Sequence, residues 1–179
     1  QGILSTVIDT DDELIAYLKN KLQRFVFLDE HVALPIKVEY GTPKTLGKDR
    51  LAAVVGANYL RPGKNLLVID AGTAITYEVI EAPGIFPGMT TRFRALNHFT
   101  KKLPLVTEED DIPLIGRSTE TAIQAGVVNG IVYEMDGYID ELKVKYPDLL
   151  VFLTGGHSFY FERRLKNSIF ADINLVLTG

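Results

Sequence analysis

The sequence predicts an α/β protein with a largely parallel or mixed sheet. Three observations carry that expectation. Short apolar runs alternate with longer segments of helical spacing along the chain. One run, Leu66-Leu67-Val68-Ile69, is continuous, as in a buried strand, and gives way to Asp70-Ala71-Gly72-Thr73, where the chain must turn. Hydrophobic residues make up 46% of the 179 residues, so a real core is available to one domain or two small ones.

The elements follow in order. Ile3 to Ile8 is a strand, and Asp9-Thr10-Asp11-Asp12 supplies a cap and an acidic first turn for a helix through about Leu22. Leu14, Ile15, Leu18 and Leu22 fall on one face of that helix. Phe25 to Leu28 and Ile36 to Glu39 read as short strands, and Tyr40 to Arg50 as a polar, turn-rich loop. Leu51 to Leu60 is a helix, stopped by Arg61-Pro62-Gly63-Lys64-Asn65, which is the best candidate for a domain boundary. Ala74 to Ile80 returns from the Asp70 strand as a hairpin, and Pro83 to Gly88 breaks structure. Met89 to about Phe99 is helical, and Glu108 to Asp111 is a solvated acidic loop. A long helix opens at Gly116-Arg117-Ser118-Thr119, breaks near Gly130 and reaches Tyr146. Within it Ala122, Gly126 and Gly130 form a small-residue stripe that lets another helix approach. Ile131, Met135, Ile139 and Leu142 form an apolar stripe that is either core or a seam between two copies. Leu149 to Leu153 is a strand ending in Thr154-Gly155-Gly156, followed by a short helix at Phe159 to Leu165 and a last strand at Asn174 to Leu177.

Composition narrows the function. Net charge is −4 with no long basic run, which argues against non-specific nucleic-acid binding. There is no cysteine, which removes disulfides and thiolate metal sites and fits a cytoplasmic protein. No apolar stretch reaches the roughly 20 residues that span a bilayer, so no membrane partner is expected. The chain starts at Gln1 and runs at once into an apolar segment, which reads as entry in mid-fold.

Several residues can carry chemistry, each with a plainer alternative. Asp70, Gly72, Thr73 and Thr76 at a strand end can hold a phosphate and its counter-cation; the same residues also suit an ordinary hairpin turn. Asp49, beside Lys48 and Arg50 and in a loop with Tyr40, is either a helix cap or a general base whose neighbouring cations keep it ionised. Gly155-Gly156 either passes under an adenine ring or makes a strand-to-helix turn. Thr119 either binds a ligand oxygen at a helix start or caps the helix. Gly41, Gly47 and Lys48 imitate a phosphate-binding G-x-x-x-x-G-K-[ST] loop, but five residues separate the glycines and Asp49 stands where Ser or Thr belongs. His31, His98 and His157 share no metal-ligand spacing, and no G-x-S-x-G elbow supports a serine triad.

Taken together the motifs resemble the type III pantothenate kinases. Gly47-Lys48-Asp49-Arg50 looks like that family's G-x-D-R motif, and Asp70 to Thr76 like its D-x-G-T-A-x-T motif. Ile85-Phe86-Pro87-Gly88 is similar to its I-x-P-G turn, Gly116 to Thr119 to its G-[RK]-[SN]-T motif, and Thr154-Gly155-Gly156 to its T-G-G. The resemblance implies two ribonuclease-H-like domains of the actin, sugar-kinase and heat-shock ATPase superfamily. Residues 1–64 would be the remainder of an incomplete N-terminal one and 65–179 the C-terminal one. It implies transfer of the ATP γ-phosphate to pantothenate, the first step of coenzyme A synthesis. Asp49 would be the proton acceptor, with Tyr40, Gly47, Lys48, Asp49, Arg50 and Thr119 at pantothenate. Gly72, Thr73, Gly155 and Gly156 would lie at ATP, and Asp70 would bind a monovalent cation, potassium or ammonium, alongside the Mg2+ that travels with ATP. A homodimer with sites near the subunit interface is implied as well.

Electrostatics points to a cation at Asp70 independently. A phosphate charge 4 Å from that carboxylate costs about 4 kcal/mol at an effective dielectric of 20, and Lys64 lies at the far end of the strand. Two departures from the family stand out. Its N-terminal D-x-G-N-T phosphate loop has no counterpart here, and the segment between Ile80 and Ile85 is short, so residues 1–179 alone are expected to turn over little. The alternatives are a kinase for another small hydroxylated substrate and a non-catalytic ligand sensor or regulator.

Overall fold

The computed structural model describes residues 2–6, 11–28, 31–38, 40–42, 45–79 and 84–179. Strands β1 (Gly2–Leu4) and β2 (Phe25–Phe27) pair in parallel, with Ile3 opposite Val26. Helix α1 (Asp12–Lys21) connects them, and Asp11 caps it by accepting from the Glu13 N–H at 2.9 Å. Its expected apolar face is not fully covered: no residue of α1 is buried, and Leu14 is exposed. The first expected strand stops short, since residues 5 and 6 are not strand, while its residues 7 and 8 and the first half of the expected cap, residues 9 and 10, lie outside the described residues. The strand expected at Ile36 does not form over residues 36–38, and residue 39 lies outside the description.

Helix α2 (Lys48–Leu60) starts three residues earlier than its alanine-rich body suggests, because Gly47 leaves the loop in an extended conformation and serves as its N-cap. Asp49 and Arg50 therefore sit inside the first helical turn rather than in a loop. A five-stranded sheet in the order β5-β4-β3-β6-β7 follows. β3 (Leu66–Ala71), β4 (Ala74–Glu78) and β5 (Gly84–Pro87) form an antiparallel meander. β6 (Leu150–Thr154) and β7 (Phe170–Ala171) add in parallel on the other side of β3. β5 takes the place of the expected break. Its proline sits at the strand end, where a missing N–H does least harm, and Phe86 packs edge-on against Tyr77 with ring centroids 5.0 Å apart.

Helices α3 (Met89–Phe99) and α4 (Thr119–Lys145) cover one face of the sheet. α4 runs unbroken through Gly130. Buried Val127, Val128, Ile131 and Val132 hold it on both sides of that glycine, and their burial outweighs the roughly 1 kcal/mol that a helical glycine costs. Ile131, Met135 and Ile139 are fully buried in this core and Leu142 packs on it, so that stripe is core, not a seam between copies. Among the described residues a Cβ at Gly126 or Gly130 would touch nothing within 4 Å, so no helix packs closely on those two glycines.

Short helices α5 (Ser158–Glu162) and α6 (Leu175–Thr178) complete the fold. α6 replaces the expected last strand. Asp172 accepts from the Asn174 N–H at 2.9 Å, a local turn that starts a helix, and Leu175 is fully buried against α2. Gly56 makes that packing possible, because a Cβ there would strike the Leu175 carbonyl. Among the described residues no helix is long and apolar enough to cross a membrane.

Candidate active site

Strand alternation divides β3 between two environments. Leu67, Ile69 and Ala71 enter the large core under α3 and α4. Leu66 and Val68 enter the smaller cluster under α2 and α6, and Asp70 follows them on that face. The register extends the same face sideways. Thr76 and Thr154 pair with Asp70 from β4 and β6, and Glu78 pairs with Val68. Four polar residues thus share the α2 side of the sheet, close to the carboxyl ends of β3 and β6.

The first turn of α2 is pinned over this face. Arg50 donates from Nε to Glu78 Oε1 at 2.5 Å and from Nη2 to Oε2 at 3.0 Å, and both side chains are buried. Burial is the largest single influence and would lower the Arg50 pKa, but the hydrogen bonds and charges of Glu78 and Tyr40 together outweigh it, and the guanidinium is held more firmly charged. Its other side lies over the Tyr40 ring, 5.6 Å from the centroid. Lys48 stacks its ammonium 5.0 Å from the Phe27 centroid, tying the same turn to β2. Asp49 stays exposed, with Oδ1 accepting from the Arg50 N–H at 2.9 Å. The cap of α2 is Gly47, so N-capping does not explain Asp49.

Asp70 is half-buried, and its carboxyl is pushed above the usual aspartate value. Desolvation is the main cause, followed by the charges of Asp49 and Glu78. Backbone closes around it. A Cβ on Gly72 would come within 3.2 Å of Asp70 Oδ1, and one on Gly155 would collide with that oxygen. Gly155 also has φ +89°, so both its conformation and its neighbours demand glycine. Gly156 opens on free space. The turn explains Gly155, and the room beside Gly156 suits a planar ligand. Thr73 is exposed at the hairpin tip, where its carbonyl accepts from the Gly88 N–H at 3.0 Å and Thr91 Oγ1 at 2.7 Å.

The structure therefore brings together Tyr40, Gly47, Lys48, Asp49, Arg50, Asp70, Gly72, Thr73, Gly155 and Gly156. Thr119 stands apart. It opens α4 on the opposite layer and lines an apolar groove of about 840 Å³ with Pro87, Arg92, Phe99 and Leu103. Ser118, not Thr119, caps that helix, in a reciprocal box with Thr121. Sequence reasoning left out Glu78 and gave Thr154 only as part of the T-G-G motif. Glu78 was legible in the alternation Ile75-Thr76-Tyr77-Glu78, which puts it on the face of Thr76.

Among the described residues no group of three His, Cys, Asp or Glu side chains is placed to hold a metal. A cation at Asp70 would need neutral oxygens as its other ligands. Such oxygens are present: Thr76 Oγ1 and Thr154 Oγ1 are buried without hydrogen-bond partners.

Fold and site together define a mixed-sheet α/β protein with an acidic site at its strand ends. The chain belongs to the type III pantothenate kinase family, whose profile matches residues 2–141. It is 49% identical to the type III pantothenate kinase of Phocaeicola vulgatus and 51% identical to that of Bacteroides fragilis. In each case the whole of this chain aligns with 76% of the relative. Among solved structures, a Campylobacter jejuni protein assigned to the Baf family of transcriptional activators superposes with a TM-score of 0.59 at 23% identity. That match covers 95% of this chain and 77% of the other, and it speaks to fold alone.

Proposed function

We infer that this protein phosphorylates pantothenate with ATP, the reaction that commits pantothenate to coenzyme A synthesis. Family membership carries the activity. The observation that carries the site is the Arg50–Glu78 fork, which holds the first turn of α2 where the charge of Asp49 acts on Asp70. On this reading the Asp49 carboxylate takes the proton from the substrate hydroxyl as its oxygen bonds to the γ-phosphorus, and ADP leaves with the bridging oxygen. Lys48 and Arg50 bind and orient the substrate carboxylate and hydroxyls beside Tyr40. Thr73 and the backbone at Gly72 and Gly155 border the phosphates, with Gly156 beside the adenosine.

The same reading assigns Asp70 to a monovalent cation, with Mg2+ arriving on ATP. The raised Asp70 pKa and the orphaned hydroxyls beside it support this. It divides the chain at Arg61–Asn65, leaving 65–179 as one ribonuclease-H-like unit. The five-stranded sheet β5-β4-β3-β6-β7 lies wholly within 65–179, which supports that unit. It also makes the protein a homodimer. The support is the position of Thr119, which opens α4 on the layer of the sheet opposite to α2 and Asp49 and so would serve the site of a second copy.

The test is pantothenate-dependent release of ADP by the purified chain, with other small hydroxy acids as parallel substrates and potassium exchanged for tetramethylammonium at fixed ionic strength. Pantothenate-dependent turnover, small in residues 1–179 alone, that falls without potassium is expected. Equal ADP release with and without pantothenate would overturn the assignment.

A further inference from the structure

Among the described residues three buried side-chain hydroxyls, on Thr76, Thr154 and Ser158, have no hydrogen-bond partner, and those of Thr76 and Thr154 flank Asp70 in the sheet. Thr154 is fully buried and Thr76 is 9% exposed, yet neither oxygen has a hydrogen-bond partner. An unpaired buried hydroxyl costs on the order of 1–3 kcal/mol, and valine would fill the same space without that cost. Both residues sit in register with Asp70, one on each neighbouring strand. Directly paired strand residues project from the same face. The three side chains therefore form one row across β4, β3 and β6.

We propose that Thr76 and Thr154 are ligand-holding residues that, with Asp70, bind a monovalent cation through one carboxylate and two neutral hydroxyls. This rests on the assignment of Asp70 to a cation. Three features favour a cation over a phosphate oxygen at these hydroxyls. The surroundings are negative, with the charges of Asp49 and Glu78 both acting on Asp70. The row is also deep: Thr73 is exposed at the hairpin tip, whereas Thr154 is fully buried. Finally, the ligand set carries a single negative charge. Mg2+ demands near-octahedral geometry, holds its waters and is bound through carboxylates and phosphates. A row of one carboxylate and two hydroxyls suits a more weakly hydrated ion of charge +1.

The experiment is thermal melting of the 179-residue chain without nucleotide. Potassium chloride is titrated against tetramethylammonium chloride at constant ionic strength. Wild-type protein should melt higher as potassium rises. Thr76→Val and Thr154→Val should each move the half-maximal potassium concentration up by tenfold or more. Each should melt at or above wild type without potassium, since the orphaned hydroxyl is gone. Thr76→Ser and Thr154→Ser should keep the wild-type midpoint, and they decide the matter if a valine variant fails to fold. A wild-type midpoint in folded valine variants, or a shifted one in the serine variants, would overturn the inference. If Asp70→Asn abolishes the response while the valine variants keep it, the Asp70 assignment survives without the threonines. If Asp70→Asn responds like wild type, or wild type shows no potassium shift, both fail.

Discussion

The two faces of the five-stranded sheet are made by the same strands and do opposite work. On the α3–α4 side, Leu67, Ile69, Ile75, Tyr77, Val151 and Leu153 join Phe93, Ile131, Met135 and Ile139 in one continuous apolar core. Each such large side chain contributes roughly 1.5–3 kcal/mol on burial. On the α2 side, Leu66, Val68 and Phe152 meet a small cluster around Ala53, Ala57 and Leu175, and toward the strand ends the face turns polar. Asp70, Thr76, Glu78 and Thr154 lie there with one ion pair, two orphaned hydroxyls and a carboxyl disfavoured in its charged form. Stability is concentrated on one face, and the features that only a ligand would satisfy are concentrated on the other.

The sharpest break of that contrast is a charge in the apolar face. Ile139 is fully buried, so Ile139→Asp places a carboxylate among hydrocarbon with no partner and should abolish the cooperative fold. Circular dichroism and a sizing column should show unfolded or aggregated protein; a folded variant would contradict the core assignment. Next comes the polar face's own anchor. Arg50→Met leaves Glu78 buried and unpaired and should cost about 3–5 kcal/mol, whereas Arg50→Met with Glu78→Leu should recover most of that loss in denaturant titrations. A double variant no better than the single one would show that the fork is not the anchor. Asp49→Asn should reduce kcat by roughly 100-fold or more. Its melting temperature should change little, since Asp49 is exposed and caps no helix. Retained activity would remove Asp49 as the proton acceptor.

Much of this was legible from residues alone, and the exceptions share a cause. The Asp70 strand, its hairpin, α3, the strand before Gly155 and the candidate residues on α2 and β3 follow from local periodicity and turn chemistry. β5 was missed because Pro83 and Pro87 dominate the local signal, while the Tyr77 and Phe86 contact that makes it a strand is tertiary. The break expected at Gly130 did not occur because buried neighbours hold the helix. The division of labour between Ile139 as core and Asp70 as site depends on which face of the sheet each helix covers, and no local pattern states that. Thr154 could be read as part of a turn motif, but its place beside Asp70 is a matter of register between strands far apart in sequence.

The most direct test of the contrast is the stability of Asp70→Asn as a function of pH. Folding raises the Asp70 pKa above its ordinary value of 3.8. In the window between that value and the raised one, the folded state holds more proton than the unfolded state. Stability contributed by this group therefore falls as pH rises through the window, and above it the charged carboxylate is a standing cost. Asparagine does not titrate. Melting of the chain without nucleotide or potassium should show Asp70→Asn more stable than wild type at pH 7, with the two converging toward pH 4 and the variant no longer stabilised by ATP. An Asp70→Asn protein less stable than wild type at pH 7, and still stabilised by ATP, would mean that Asp70 belongs to the scaffold and that the polar face is not the site.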